Sequence, residues 1–358
     1  MNRPPSTTIP TPPRLLNRTQ RIYAACTVLA VVLLVPVLGS TILVLQATEI
    51  FVFMVSFAGL HVLSGRLGLI SIGHGAFMGI GGLGAAVAVR DYGLPLLLVP
   101  LVGALVAAVA GCVVAFPSLR LPGAYLALLT VAVAMALPIA MNRFVGPLGI
   151  RVEGDLVPPA WTGLARDQDD LWQYALVVAV GSAVLMTLHL LLRGRFGRAL
   201  LAVRDEPLAA ASFGIDVART HLAGVAISSA LAGFSGGLLI YATPFVSGAQ
   251  YPFELSLSMF ALVIAVGASS VWMSVPASIL LVMLPVFLLD RGWAIWEPVI
   301  YGVMLLVMTR VSNGHGLLSM IGPGRSLGRS IPGRARRRAI DDAADAGPGI
   351  ILLDNGSD

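Results

Sequence analysis

Apolar runs of about 20 residues, almost free of charge, recur along the whole chain and constrain its fold more than any other feature. They fall near 22–39, 44–64, 69–89, 94–116, 123–141, 172–192, 221–242, 255–271, 275–290 and 294–310. A helix rises 1.5 Å per residue, so a run of this length matches a bilayer core about 30 Å thick. None of the runs alternates polar with apolar residues, which excludes an outer-membrane barrel built from strands of about 10 residues. With 57% hydrophobic and 11% charged residues, the chain lacks the polar surface that a water-soluble exterior requires. In lipid the backbone must satisfy its own hydrogen bonds, and helices do so within each segment. The expected fold is therefore all-α: a polytopic transmembrane helical bundle of about 10 spans (8–10, since the stretches near 16 residues can also be tilted, buried or re-entrant).

The arginines supply an orientation. With a cytosolic N-terminus, Arg90, Arg143, Arg151, Arg166 and Arg291 fall outside, and the other 18 of the 23 basic residues fall inside. That bias predicts an even number of spans and two cytosolic termini. Residues 1–21, rich in proline and threonine, read as a disordered basic cytosolic arm, 22–310 as the transmembrane domain, and 311–358 as a cytosolic tail. The tail carries Arg325, Arg329, Arg334, Arg336, Arg337 and Arg338. It reads as disordered, with attraction to anionic lipid of about 1 kcal/mol per arginine as the alternative. Trp161, Trp172, Trp293 and Trp296 sit near expected outer span ends, the ordinary interfacial place for tryptophan. Lysine is absent, so no phosphate-binding loop ending in Gly-Lys-Ser/Thr exists in this chain. If transport uses ATP, another chain must hydrolyse it. Cys26 and Cys112 lie in apolar runs with no metal or disulfide spacing, and neither a cofactor nor a metal site is expected.

The longest polar interruption on the inner side, apart from the termini, is 193–220. Within it GRFGRALLAVRDEPLAAASFGID, Gly194 to Asp216, has the pattern of a short helix lying outside the membrane. Asp205 suits an N-cap, Glu206 and Pro207 suit the first turn, and Gly214 suits the position after the last. Leu208, Ala209, Ala210, Ala211 and Phe213 make a compact apolar surface able to enter a partner's groove.

This segment resembles the cytosolic coupling loop of ABC import permeases, and in detail that of the branched-chain amino acid permeases of the LivM type. The residues carrying the likeness are Gly197, Arg198, Ala199, Arg204, Asp205, Glu206, Ala209, Ala210, Gly214 and Ile215. Leu63–Gly82 is similar to a second family stretch through Ser71, Gly73, His74, Ala76, Phe77 and Gly79. Ser118–Ala134 is similar to a third, with Pro122 where a second arginine is common. Two turns depart from the pattern: Val266–Ala277 has lost most of its glycines, and Phe144–Gly154 lacks the usual Thr-Gly-Gly start. Both departures bear on the solute carried.

The resemblance implies a permease subunit of an importer for branched-chain or related amino acids in the bacterial plasma membrane, with no chemistry of its own. It implies as partners ABC ATPase subunits that grip the loop, a second permease subunit (the same or a relative), an extracellular solute-binding protein and membrane lipid, with no nucleic acid. Urea, an amide or another small polar solute is the nearest alternative cargo, and an ion-driven secondary transporter the alternative class.

Within the second stretch, Ser71, Gly73, His74, Phe77 and Gly79 are the candidates for the translocation path. Gly79–Gly84 formally spells Gly-Xaa-Gly-Xaa-Xaa-Gly, but no βαβ unit surrounds it. The four-residue spacings Gly75/Gly79 and Gly233/Gly237 point to close helix packing. The other reading is that 69–84 is locally unwound and exposes backbone groups to a polar solute. His74 is a functional candidate as an intramembrane ionisable group. A neutral imidazole bonded to a backbone carbonyl is its alternative.

Overall fold

The protein is described here from a computed structural model, over residues 40–118, 124–152, 169–268 and 270–311. The expected span at 22–39, the N-terminal arm and nearly all of the tail lie outside these residues. Eleven helices run in the order α1 (Thr41–His61), α2 (His74–Tyr92), α3 (Val99–Ser118), α4 (Ala124–Val145), α5 (Asp169–Arg193), α6 (Arg195–Asp205), α7 (Pro207–Ser212), α8 (Val217–Ala242), α9 (Phe253–Val266), α10 (Ser274–Asp290) and α11 (Glu297–Val311). Two-residue strands, β1 (Ile150–Arg151) and β2 (Phe245–Val246), pair antiparallel.

The fold is an all-α polytopic bundle. Seven helical segments among the described residues are long and apolar enough to cross a membrane. They match the runs expected at 44–64, 94–116, 123–141, 172–192, 221–242, 255–271 and 275–290. Two further expected spans take a shorter form. The run at 294–310 contains α11, with 15 residues. The run at 69–89 becomes α2, which starts only at His74, because Leu67–Gly73 leaves the helical path. Gly68, at φ +69°, makes the departure possible. Just before it, α1 ends in a π-helical turn, Val62–Arg66.

Burial separates centre from periphery. The apolar window of α8 is 72% buried and that of α1 61%, against 22% for α5 and 28% for α3. The centre is possible because α8 is built from small residues. A methyl group at Gly233 would overlap the Gly103 carbonyl of α3, and one at Gly81 of α2 would strike the Gly233 Cα. Three backbones thus meet where no side chain fits. Between helices in lipid, where hydrophobicity favours neither side, such close packing supplies the attraction. A second cluster joins α9, α10 and α11 to the Phe57 and Leu60 face of α1.

The outward face of α3 carries Leu101, Leu105, Val109, Val113 and Phe116, all exposed. In water this stripe would be an aggregation liability; against hydrocarbon it is the ordinary exterior. Caps follow local chemistry: the Ser40 hydroxyl accepts from the Leu43 amide, and the Asp216 carboxylate from the Arg219 amide.

Candidate functional site

Two groups of residues stand out from this apolar frame: the α6–α7 segment at one end of the bundle, and a polar chamber inside it.

Gly197 permits the turn from α5 into α6, since a side chain there would collide with the Leu192 backbone. Helix α6 buries Gly197, Leu200 and Val203 and turns Arg195 and Arg198 outward, with Ala199 half-buried between. The expected cap moves by one residue. Asp205 is the last residue of α6, and Glu206 holds the N-cap position of α7 without a side-chain bond. Proline at the next position fixes φ and has no amide to satisfy, so the helix starts there without a carboxylate cap. The C-terminal end is as expected. Gly214 has φ +79°, its amide donates to the Ala211 carbonyl at 2.9 Å, and the Ile215 amide donates to Ala210 at 3.1 Å. This pair of bonds is a Schellman cap, which needs a left-handed residue at the position of Gly214. Of the small residues on α7, Ala210 faces inward and is buried, while Ala209 is exposed. Leu208 (82%) and Phe213 (87%) are among the most exposed apolar side chains of the protein.

Besides the apolar packing of Leu200 against α8, a polar tie joins the segment to the bundle. The Arg204 guanidinium donates to the carbonyl of Gly65, in the π-helical turn. Its aliphatic stem lies over Gly68. The other side of Gly65 is packed so closely on the Ala268 carbonyl that a side chain could not enter. The turn after α9 therefore docks on the π-helical turn. His61 reinforces that contact, with Nδ1 2.7 Å from the Phe57 carbonyl and Nε2 3.2 Å from that of Gly267. π-Helical turns occur often at functional positions.

Beyond Gly65 the non-helical Leu67–Gly73 stretch leads into the chamber. Its polar lining is the hydroxyls of Ser71, Ser228, Ser229 and Thr130 and the imidazole of His74, with Phe77 and Leu126 among its apolar walls. Free space for the centre of a water-sized sphere is ≈ 10 Å³, room for about one water. His74, 1% exposed, points Nε2 at the Ser56 carbonyl, 2.8 Å away. This is the carbonyl-bonded arrangement; the Nε2 proton is assigned from that contact, which makes Nδ1 an acceptor. Thr130 donates to the Ala127 carbonyl at 2.9 Å and accepts from the Ile72 amide at 3.2 Å. Ser229 donates to Val225. The hydroxyls of Ser71 and Ser228, both 1% exposed, have no protein partner. Each such orphan costs about 1–3 kcal/mol.

The structure thus brings together Ser71, His74 and Phe77. Gly73 and Gly79 are not in its lining: Gly73 abuts the lining residue Thr130, and Gly79 abuts Tyr251 and Leu137. Of the proposed unwound stretch, only the part before His74 leaves the helix. Sequence reasoning missed Ser228, Ser229 and Thr130. Serine and threonine in an apolar helix commonly bond their own turn, so their presence signals little; the adjacent pair Ser228-Ser229 was the one available sign.

Comparison with known proteins agrees with this architecture. Residues 43–309 match the family model described as branched-chain amino acid transport system / permease component. The chain is 31% identical over 302 residues to the high-affinity branched-chain amino acid transport system permease protein LivM of Escherichia coli (strain K12), covering 77% of this chain and 70% of that one. Similarity to the protein of the same name from Salmonella typhimurium is equal, 31% over 303 residues with the same coverage. No solved structure matches. This is a multi-pass protein of the bacterial inner membrane, a transport subunit rather than an enzyme, and the chain belongs to the permease-component family of branched-chain amino acid transport systems.

Proposed function

We propose that the chain is one permease subunit of an ABC importer that moves branched-chain amino acids into the cell, and that α6–α7 is its cytosolic coupling segment. The observation that carries this reading is the exposed Leu208–Phe213 surface on a short, doubly fixed helix too short and too charged in its flanks to cross the membrane. An isolated water-facing helix of six residues is not stable by itself. This one is held by a proline start, a Schellman end and the Arg204 bond, which makes it a stiff knob for a partner's groove. An ATPase subunit that closes on the knob pushes on α6, on the Gly65 turn and so on the Leu67–Gly73 stretch. A second permease subunit completes the route, an extracellular binding protein delivers the amino acid, and both termini lie in the cytosol. Gly197, Arg198, Ala199, Arg204, Asp205, Glu206, Ala209, Ala210, Gly214 and Ile215 form the coupling surface and its supports; Ser71, Gly73, His74, Phe77 and Gly79 belong to the path and its packing.

The double variant Leu208→Asp/Phe213→Asp tests this. Both side chains face solvent, so the variant inserts and keeps its thermal stability. Co-purification of the ATPase subunit falls at least tenfold and leucine uptake is lost. Undiminished co-purification and uptake would remove the coupling assignment.

A further inference from the structure

We infer that the N-terminus of α2, together with the hydroxyls of Ser71 and Ser228, forms a carboxylate-binding station for the transported amino acid inside the membrane. The inference rests on the amino-acid importer reading and goes further, naming the group recognised and the atoms that recognise it.

Three observations converge. First, α2 begins inside the bundle. Ser228 is the twelfth of the 26 residues of α8, close to the middle of that span. Ser228 and His74, the first residue of α2, line the same chamber. Second, the helix start is uncapped. Gly73 occupies the N-cap position and has no side-chain oxygen to offer, while the first-turn amides of any helix lack acceptors within it. Nineteen residues of aligned peptide dipoles place a partial positive charge there. Third, the two orphan hydroxyls of Ser71 and Ser228 line the same chamber, more than nine-tenths buried and without protein partners. Two unused O–H donors beside an uncapped helix start favour an anion.

The rest of the lining fits the other parts of a branched-chain amino acid. Leu63, Phe77 and Val225 offer apolar wall for a branched side chain. His74 is already committed through Nε2 to Ser56, which leaves an acceptor at Nδ1 for an ammonium group. In the conformation described the chamber has room for one water, so the station is in its collapsed form. Loading requires it to widen, and the Leu67–Gly73 stretch, joined through Gly65 to Arg204, is the lining segment outside a regular helix, its amides at Leu67, Leu69 and Ile72 bonded to Val62, Leu63 and Thr130.

The test uses the complete transporter in proteoliposomes with its binding protein and ATPase subunits. Labelled L-leucine, L-isoleucine and L-valine are the probes. Ser71→Ala/Ser228→Ala removes two oxygen atoms that make no hydrogen bond to protein. Thermal stability and subunit assembly therefore stay equal to the unaltered protein or rise, while the uptake rate falls at least tenfold. Ser71→Asp sets a fixed carboxylate at the helix start and abolishes uptake. Uptake by the double-alanine variant at the unaltered rate overturns the inference. So does retained or improved uptake by S71D, because an ammonium-binding station would welcome that charge. Should S71D fail to assemble, the double-alanine variant decides alone. If the unaltered transporter imports none of the three amino acids, the substrate reading fails and this inference fails with it; import by the unaltered protein with no effect of the variants overturns the station alone.

Discussion

If α6–α7 couples to an ATPase as proposed, Arg204 is where the force would enter the membrane domain. It sits one residue before the end of α6, two before the N-cap position of α7, and its guanidinium bonds the Gly65 carbonyl 139 residues away. Arg204→Met keeps most of the stem that lies over Gly68 and removes the donor. A hydrogen bond from a charged group contributes about 1.5–3 kcal/mol. The bond is only partly buried, so the low end applies, about 1.5 kcal/mol, which corresponds to about tenfold in the equilibrium between coupled and uncoupled arrangements. The assay is the ratio of leucine imported to ATP hydrolysed in proteoliposomes, with co-purification of the ATPase subunit as the control for docking. We expect the ratio to fall about tenfold while docking and ATP hydrolysis persist, because the α7 surface is untouched. Arg204→Lys recovers part of the loss, since a point charge on a flexible stem can reach the carbonyl but lacks the planar fork. A ratio for R204M within a factor of two of the unaltered protein would refute the argument that this bond transmits motion.

Two further predictions concern the backbone. Gly214→Ala meets no steric obstacle, since nothing lies within 4 Å of its added methyl, but φ +79° is strained for any residue with a Cβ. The Schellman cap should loosen by about 1–2 kcal/mol, read as faster amide exchange at Ile215 and lower uptake. Gly233→Val forces α3 and α8 apart and should destabilise the protein by about 1–3 kcal/mol or more, read as a lower thermal midpoint in detergent. Gly302→Ala, in α11 with open space around it, should be neutral or stabilising by about 0.4–1 kcal/mol in the same measurement; equal losses in both variants would sink the packing account of the α2–α3–α8 crossing.

Local chemistry was legible without coordinates wherever it depends on neighbours along the chain. The span positions follow from run length against bilayer thickness. The surface helix follows from a proline at its start, a glycine after its end and the polar residues around it. The error at Asp205 was a shift of one residue, because proline at the first helical position makes a side-chain cap dispensable. Gly75, Gly79, Gly233 and Gly237 were readable as packing residues, but their partners were not. Nothing in the sequence pairs Gly233 with Gly103 or Gly73 with Thr130.

What the chain determined alone is its solvent, its helices and the short capped helix of residues 207–212. The tertiary structure decided which side of each helix is buried, how Arg204 reaches Gly65, and that Ser71 and Ser228 line one chamber. The reason lies in the solvent. Lipid and protein interior are equally apolar, so a spanning helix need carry no stripe that marks its inner face. A hydroxyl on such a helix can bond its own turn and leave no trace in the pattern. Only the folded arrangement of backbones shows which hydroxyls are left without a partner.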